Sequence, residues 1–270
     1  MLATSFAEDD VTAAATDDAQ SEPTSMRTEA GHVEGYMTLP LGDEVIDATY
    51  LADKSGREYG KVLILPDFEG NIDSYDLVHT LRIQLAEAGW ATMTVELNYP
   101  DEARVMLSAE ETSDADATVE DIEAPTDAES EESGLSDLDE NAARVAAAIA
   151  YLNAQQPGLV VVICLGKSAE LSATALAQAG KENALIWISP QWGSPEPPDT
   201  EFVLDITTSD LTKASVPSAQ HRALMMRKNI AQYSQRQIVG ATSGFYGFEQ
   251  PVFNQIRHWL HKHFAAGASS

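Results

Sequence analysis

An α/β fold, with a mostly parallel sheet, an antiparallel start and helices on both faces, is what this sequence predicts, and three observations carry the prediction. Two runs, Lys61–Pro66 (KVLILP) and Leu159–Leu165 (LVVVICL), are apolar without polar alternation, as strands buried on both faces of a parallel sheet read. Each run is followed by a polar turn and then by apolar residues at spacings of three and four, which is the core-facing stripe of a helix. The stretch from Gly35 to Leu51 alternates instead, as an antiparallel hairpin does.

Taken in order, residues 1–33 hold Ala, Thr, Ser, Asp and Glu with hardly a large apolar side chain, so they form an acidic disordered tail. Tyr36–Leu39 and Glu44–Leu51 are the hairpin strands, with Leu41-Gly42-Asp43 as their turn. After the strand Lys61–Pro66, the loop Asp67-Phe68-Glu69-Gly70-Asn71 leads into a helix from about Ser74 to Ala88, ended by Gly89. Ala91–Leu97 returns as a strand, which completes a right-handed parallel unit. Residues of about 100–136 lose all periodicity and become rich in Asp, Glu, Ser and Ala, which reads as a disordered acidic insertion. A helix from about Leu138 to the Gln155-Gln156-Pro157-Gly158 break feeds the strand Leu159–Leu165. The expected remainder is a helix after Glu170, strands Ala184–Ile188, Phe202–Ile206 and Ser234–Val239, and helices Pro217–Ala231 and Gln250–Phe264, with 265–270 as a tail.

Composition narrows the function. At 270 residues and 44% hydrophobic, the chain fits one large domain spanning 34–264 with a real core. A formal charge of -27 argues against nucleic acid or an anionic membrane as partner. No apolar run is long enough for a transmembrane segment. The single cysteine, Cys164, lies within an apolar strand and reads as a small buried hydrophobe. Ser5-Phe6-Ala7 has the small-x-small form of a signal-peptidase site but lacks the basic and apolar stretches before it; read as an export-signal remnant it predicts a periplasmic or exported protein, and read as an ordinary tail it leaves a cytoplasmic one.

The chemistry-bearing stretch is Gly166-Lys167-Ser168-Ala169-Glu170, at the end of the central strand. Strand, tight turn, serine, helix is the order of a nucleophile elbow, whose motif is G-x-S-x-G; here Gly and Ser are in place and the last Gly is Glu170. A phosphate-binding loop does not fit Gly-Lys-Ser here, because the position five residues before Gly166 is Val161, inside the strand. The plainer alternative is that Ser168 caps the following helix.

The stretches VLILPDFEGN, LAEAGWATMTVEL, VLDITTSD and YSQRQIVGA, followed by a terminal RHWL, occur in the order of the α/β-hydrolase superfamily. Together they resemble an uncharacterised bacterial family of α/β-hydrolase-like proteins, a domain of unknown function, over about residues 34–264. The resemblance implies the fold and brings no substrate. It also implies where a triad would lie: Ser168 as nucleophile, Asp210 after the strand Phe202–Ile206 as acid, and oxyanion amides from Ala169 and Phe68. Asp67 and Glu69 beside that site would oppose an oxyanion. The histidine should follow the strand Ser234–Val239, and Ser243 stands in its place. A serine there cannot act as general base. His221 is the candidate displaced base, whereas His258, His261 and His263 read as a solvated helix end. No metal or cofactor pattern is present in the sequence.

Three readings follow: a hydrolase-fold binding module with a degenerate triad, which we prefer, taking an unknown small molecule; a serine esterase using Ser168, Asp210 and a displaced base; and a structural or envelope role unrelated to the cleft. Fold alone does not choose among them.

Overall fold

The computed structural model of the chain describes residues 33–68, 70–74, 76–99, 128–180, 182–191, 198–208, 218–242 and 244–265, with side chains from 138 and from 222 in the two helices that begin at 128 and 218. The acidic N-terminal stretch, the 100–127 segment, Asp210 and Ser243 lie outside the described residues, as do the expectations that fall on them.

The described strands form one sheet. They are β1 (Tyr36–Leu41), β2 (Glu44–Leu51), β3 (Gly60–Leu65), β4 (Trp90–Val95), β5 (Val160–Leu165), β6 (Asn183–Ile188), β7 (Phe202–Thr208) and β8 (Gln232–Ile238). Their spatial order is β1-β2-β4-β3-β5-β6-β7-β8. β1 pairs antiparallel with β2, and β2 antiparallel with β4; every other pairing is parallel. The antiparallel start and parallel body are thus as the patterning predicts.

Burial explains the pattern of the runs. β4 and β5 are buried along their whole length, so each alternate residue meets a helical layer on one side or the other. On one face Val160, Val162 and Cys164 pack with Val145, Ile149 and Leu152 of α2 (Ala128–Gln155) and with Ala175 and Leu176 of α3 (Ser172–Ala179). On the other, Val161, Ile163 and Ile64 pack with Leu81 and Leu85 of α1 (Leu77–Glu87) and with Val252, Ile256 and Trp259 of α5 (Glu249–Leu260). The remaining helix, α4 (Ser218–Arg227), precedes β8.

Several boundaries differ from expectation, among them three at helix starts. α1 starts at Leu77 because Asp76 caps it, its carboxylate accepting from the Val78 amide. α2 begins at Ala128, ten residues before the first apolar repeat, so the end of the expected insertion is helical. Its Glu- and Ser-rich first turns carry no apolar stripe and gave no periodic signal. A 3-10 turn, Gly166–Leu171, stands between β5 and α3 where a helix was expected to begin at once.

The crossovers carry buried polar braces. Lys61, at the start of β3, is buried and donates to Asn153 Oδ1 at 3.0 Å and to the Gln156 carbonyl, binding the end of α2 to the sheet. Arg82 is buried against Asp73, its Nε donating at 2.8 Å. Asp205, within β7, is buried and accepts from Tyr233 Oη at 2.7 Å and Gln235 Nε2 at 2.9 Å on β8. Its role is to fasten two strands, as expected for an acid inside a strand.

Candidate functional site

The corner after β5 is made by Gly166, at φ 54°. A left-handed residue directly at the end of the central strand is the backbone feature of a nucleophile elbow. The G-x-S-x-G match in the sequence points to a nucleophile two residues later, at Ser168. That residue is fully buried, its Oγ within hydrogen-bond distance of the Leu65 carbonyl (2.9 Å), the Leu165 carbonyl (2.8 Å) and the Leu165 amide (2.8 Å). The Ser168 hydroxyl therefore stitches the corner to β3 and does not project above the sheet. Glu170, read as filling the close-crossing position of the motif, is exposed; it is Ser168 that lies against the neighbouring strand.

The shift of two moves the oxyanion donors as well. In an elbow they are the amide of the residue after the corner and an amide from the loop after β3. Here these are Lys167 and Phe68. Both already have an acceptor, and it is the same atom: Asp67 Oδ1 accepts from the Lys167 amide at 2.8 Å and from the Phe68 amide at 2.8 Å. Phe68, one of the two expected oxyanion donors, gives its amide to Asp67 Oδ1, and Ala169, the other, is buried in the 3-10 turn Gly166–Leu171 beyond Lys167.

The carboxylate also fills the volume that a side chain at the corner would need. A Cβ built on Gly166 would lie 2.0 Å from Asp67 Oδ2 and 2.1 Å from Oδ1 and Cγ. The absence of a side chain at 166 and the presence of a carboxylate at 67 are one arrangement.

Around this pair lies a cleft of 340 Å³ walled by Leu77, Val78, Leu165, Ile188, Phe245 and Tyr246. No histidine is among the described residues that line it. His258 and His261 line a separate groove with Tyr59 and Trp90, and His263 packs edge-on against Phe202. His221 lies in α4, its side chain outside what is described, and Asp210 is in the segment preceding that helix. A larger groove of 1290 Å³ runs along the opposite edge, by Gly60, Leu159, Asn183 and Phe202 at the starts of strands. Ligands of open α/β sheets bind at the strands' carboxyl ends, which is where the smaller cleft lies.

Electrostatics reinforce the acidic character of the cleft. Asp76 shares it, and burial chiefly, then the nearby Glu249 and Asp67, hold its carboxyl above the usual range. Tyr99 donates to the Pro66 carbonyl at 3.1 Å and stacks edge-on with Phe68 at 5.7 Å; burial first, and Asp67 second, push its phenol up. Lys167 extends its ammonium over the Phe68 ring, 4.5 Å from the centroid. Cys164 is no alternative nucleophile: burial pushes its thiol up to about 12, and its neighbour Ser172 is held by the Trp187 indole at 2.8 Å. Among the described residues no cluster of His, Cys, Asp or Glu could hold a metal.

Gly166, Lys167, Asp67 and Tyr99 are the site residues that motif reading passed over or placed otherwise. The available signal was Gly166 itself, a glycine immediately after the last residue of an apolar strand.

Comparison with known proteins agrees on the fold. A family model described as a protein of unknown function, DUF3530, matches residues 3–262. No curated protein matches the sequence significantly. Among solved structures, an α/β serine hydrolase without a lid from Xanthomonas campestris is similar at a TM-score of 0.60 and 16% identity, covering 85% of this chain and 94% of that one. A putative α/β hydrolase from Agrobacterium tumefaciens is similar at 0.57 and 15%, covering 86% and 98%. A dienelactone hydrolase from Anabaena variabilis is similar at 0.55 and 16%, again covering 86% and 98%. At such identities the likeness is one of fold, and the fold is α/β-hydrolase-like.

Proposed function

We propose that this chain, which belongs to the DUF3530 family of proteins of unknown function, is a hydrolase-fold binding protein that holds a small ligand at the crest of its sheet without serine-hydrolase chemistry. One observation carries the reading. The Asp67 carboxylate sits on the two amides that would stabilise an oxyanion, beside a corner residue, Gly166, that has no nucleophile to offer. A tetrahedral intermediate would have to displace a charge-assisted pair of hydrogen bonds and would then stand beside the displaced negative charge.

The sequence supports the same direction. Ser243 occupies the place after β8 where the order of a triad calls for histidine, and nothing else in that turn can take a proton near neutral pH. The hydroxyl of Ser168 is bonded to the Leu65 and Leu165 carbonyls and the Leu165 amide, which suits a structural serine.

Incubation of the purified protein with a fluorophosphonate probe and p-nitrophenyl esters tests the reading. The expected result is no labelling and no turnover above that of the denatured protein. Covalent labelling mapped to Ser168, abolished by Ser168→Ala and weakened by Asp210→Asn or His221→Gln, would replace it with the esterase reading.

A further inference from the structure

The hydrogen-bonding polarity of the cleft is the reverse of what its fold position suggests. Two convergent amides facing a cleft select an acceptor, a carbonyl or an oxyanion. Here both amides are spent on Asp67 Oδ1, and Asp67 Oδ2 accepts no hydrogen bond from the described residues. A carboxylate oxygen can only accept, so the group presented at the crest calls for a donor.

We propose that this cleft binds molecules carrying a protonated amine or amidine on a small apolar body, and refuses the carbonyl and carboxylate ligands that a hydrolase of this fold would polarise. The inference rests on the binding-protein reading above and gives that same site a ligand class. Leu77, Val78, Leu165, Ile188 and Phe245 supply apolar walls, and 340 Å³ admits a single substituted ring. Tyr246, 71% exposed at the rim, offers an aromatic face that suits a cation. Asp76, a second carboxylate on the same wall, adds to the attraction. Among the described residues that line the cleft, Lys167 is the opposing charge, and its ammonium rests on the Phe68 ring.

Asp67 is therefore the residue that sets which charge the cleft accepts. Its replacements separate this from the general attraction of a chain with net charge -27 for any cation. Asp67→Asn changes the total by a single charge. Its carbonyl oxygen can still accept from both amides, while its NH₂ would face the cleft as a donor. Asp67→Ala leaves the two amides open.

The test is a titration of the full-length protein with benzylamine and with benzoate, at near-neutral pH and physiological salt, followed by the amide resonances of Phe68 and Lys167. The wild type is expected to saturate with benzylamine and to show no binding of benzoate. Asp67→Asn should weaken benzylamine by about tenfold or more, the scale of one hydrogen bond to a charged group. Asp67→Ala should gain benzoate binding. Lys167→Met, which keeps the backbone amide, should tighten benzylamine.

A wild type that binds benzoate as well as it binds benzylamine, or binds neither, overturns the proposal. So does an Asp67→Asn protein whose benzylamine affinity stays within twofold of the wild type, and this variant decides the matter even where Asp67→Ala fails to fold. Fluorophosphonate labelling of the wild type would remove the non-catalytic reading while leaving the preference for amine over acid to be judged by the titration alone.

Discussion

Asp67 and Gly166 occupy one volume between them: a β-carbon on Gly166 would fall 2.0 Å from the Asp67 carboxylate. The corner also needs φ 54°, which costs an L-residue about 1 to 2 kcal/mol. Gly166→Ala should therefore destabilise the fold by about 2–5 kcal/mol, the backbone strain plus the hydrogen bonds that Asp67 must give up. Urea denaturation measures it. The double variant Asp67→Ala/Gly166→Ala should lose less than the sum of the two single losses, by about 1–3 kcal/mol. Strict additivity would mean that the two residues do not share the space.

Ser168→Ala should cost about 1–3 kcal/mol, because it leaves the buried Leu65 and Leu165 carbonyls and the Leu165 amide short of the partner they share. Equilibrium unfolding gives the value. A change within about 0.5 kcal/mol, typical of a surface site, would contradict the buried, bonded hydroxyl.

The sheet is readable from sequence because both core faces of β3 and of β5 are written as unbroken apolar runs, and the hairpin because it alternates. The site was readable only in outline. The elbow shows as a polar turn after an apolar strand, but matching Gly166-Lys167-Ser168 to the motif fixes its register on a serine. What decides the register is a dihedral angle, and Leu165, the last residue of β5, puts the corner at Gly166. The role of Asp67 could not have been read in this way. Its neighbour across the site is a hundred residues away in the chain, and the sequence signalled only that an acid near an oxyanion site would be unwelcome. The early start of α2 was hidden because propensity, without an apolar stripe, gives no period to detect.

Tyr233→Phe should destabilise the protein by about 1–3 kcal/mol through the loss of one donor to the buried Asp205 carboxylate on the neighbouring strand. The loss should concentrate at the β7–β8 edge. Amide exchange in β8 should quicken more than in β3 or β5, and uniform quickening across the sheet would argue against a local brace.

Asp76 makes stability depend on pH in a direction opposite to most carboxylates. Burial, then Glu249 and Asp67, raise its carboxyl in the folded state above its unfolded value. The folded state then binds the proton more tightly, so its contribution is fully present below the unfolded value and is lost as pH rises through the folded one. Asparagine caps a helix as well as aspartate does and carries no charge, so Asp76→Asn should keep the bond from the Val78 amide. The variant should therefore match or exceed the wild type in stability at neutral pH, and its advantage should shrink as the pH is lowered through the carboxylate range. Urea midpoints at several pH values check this. An advantage that grows on acidification would mean that the Asp76 charge is favoured by the helix terminus more than it is penalised by burial.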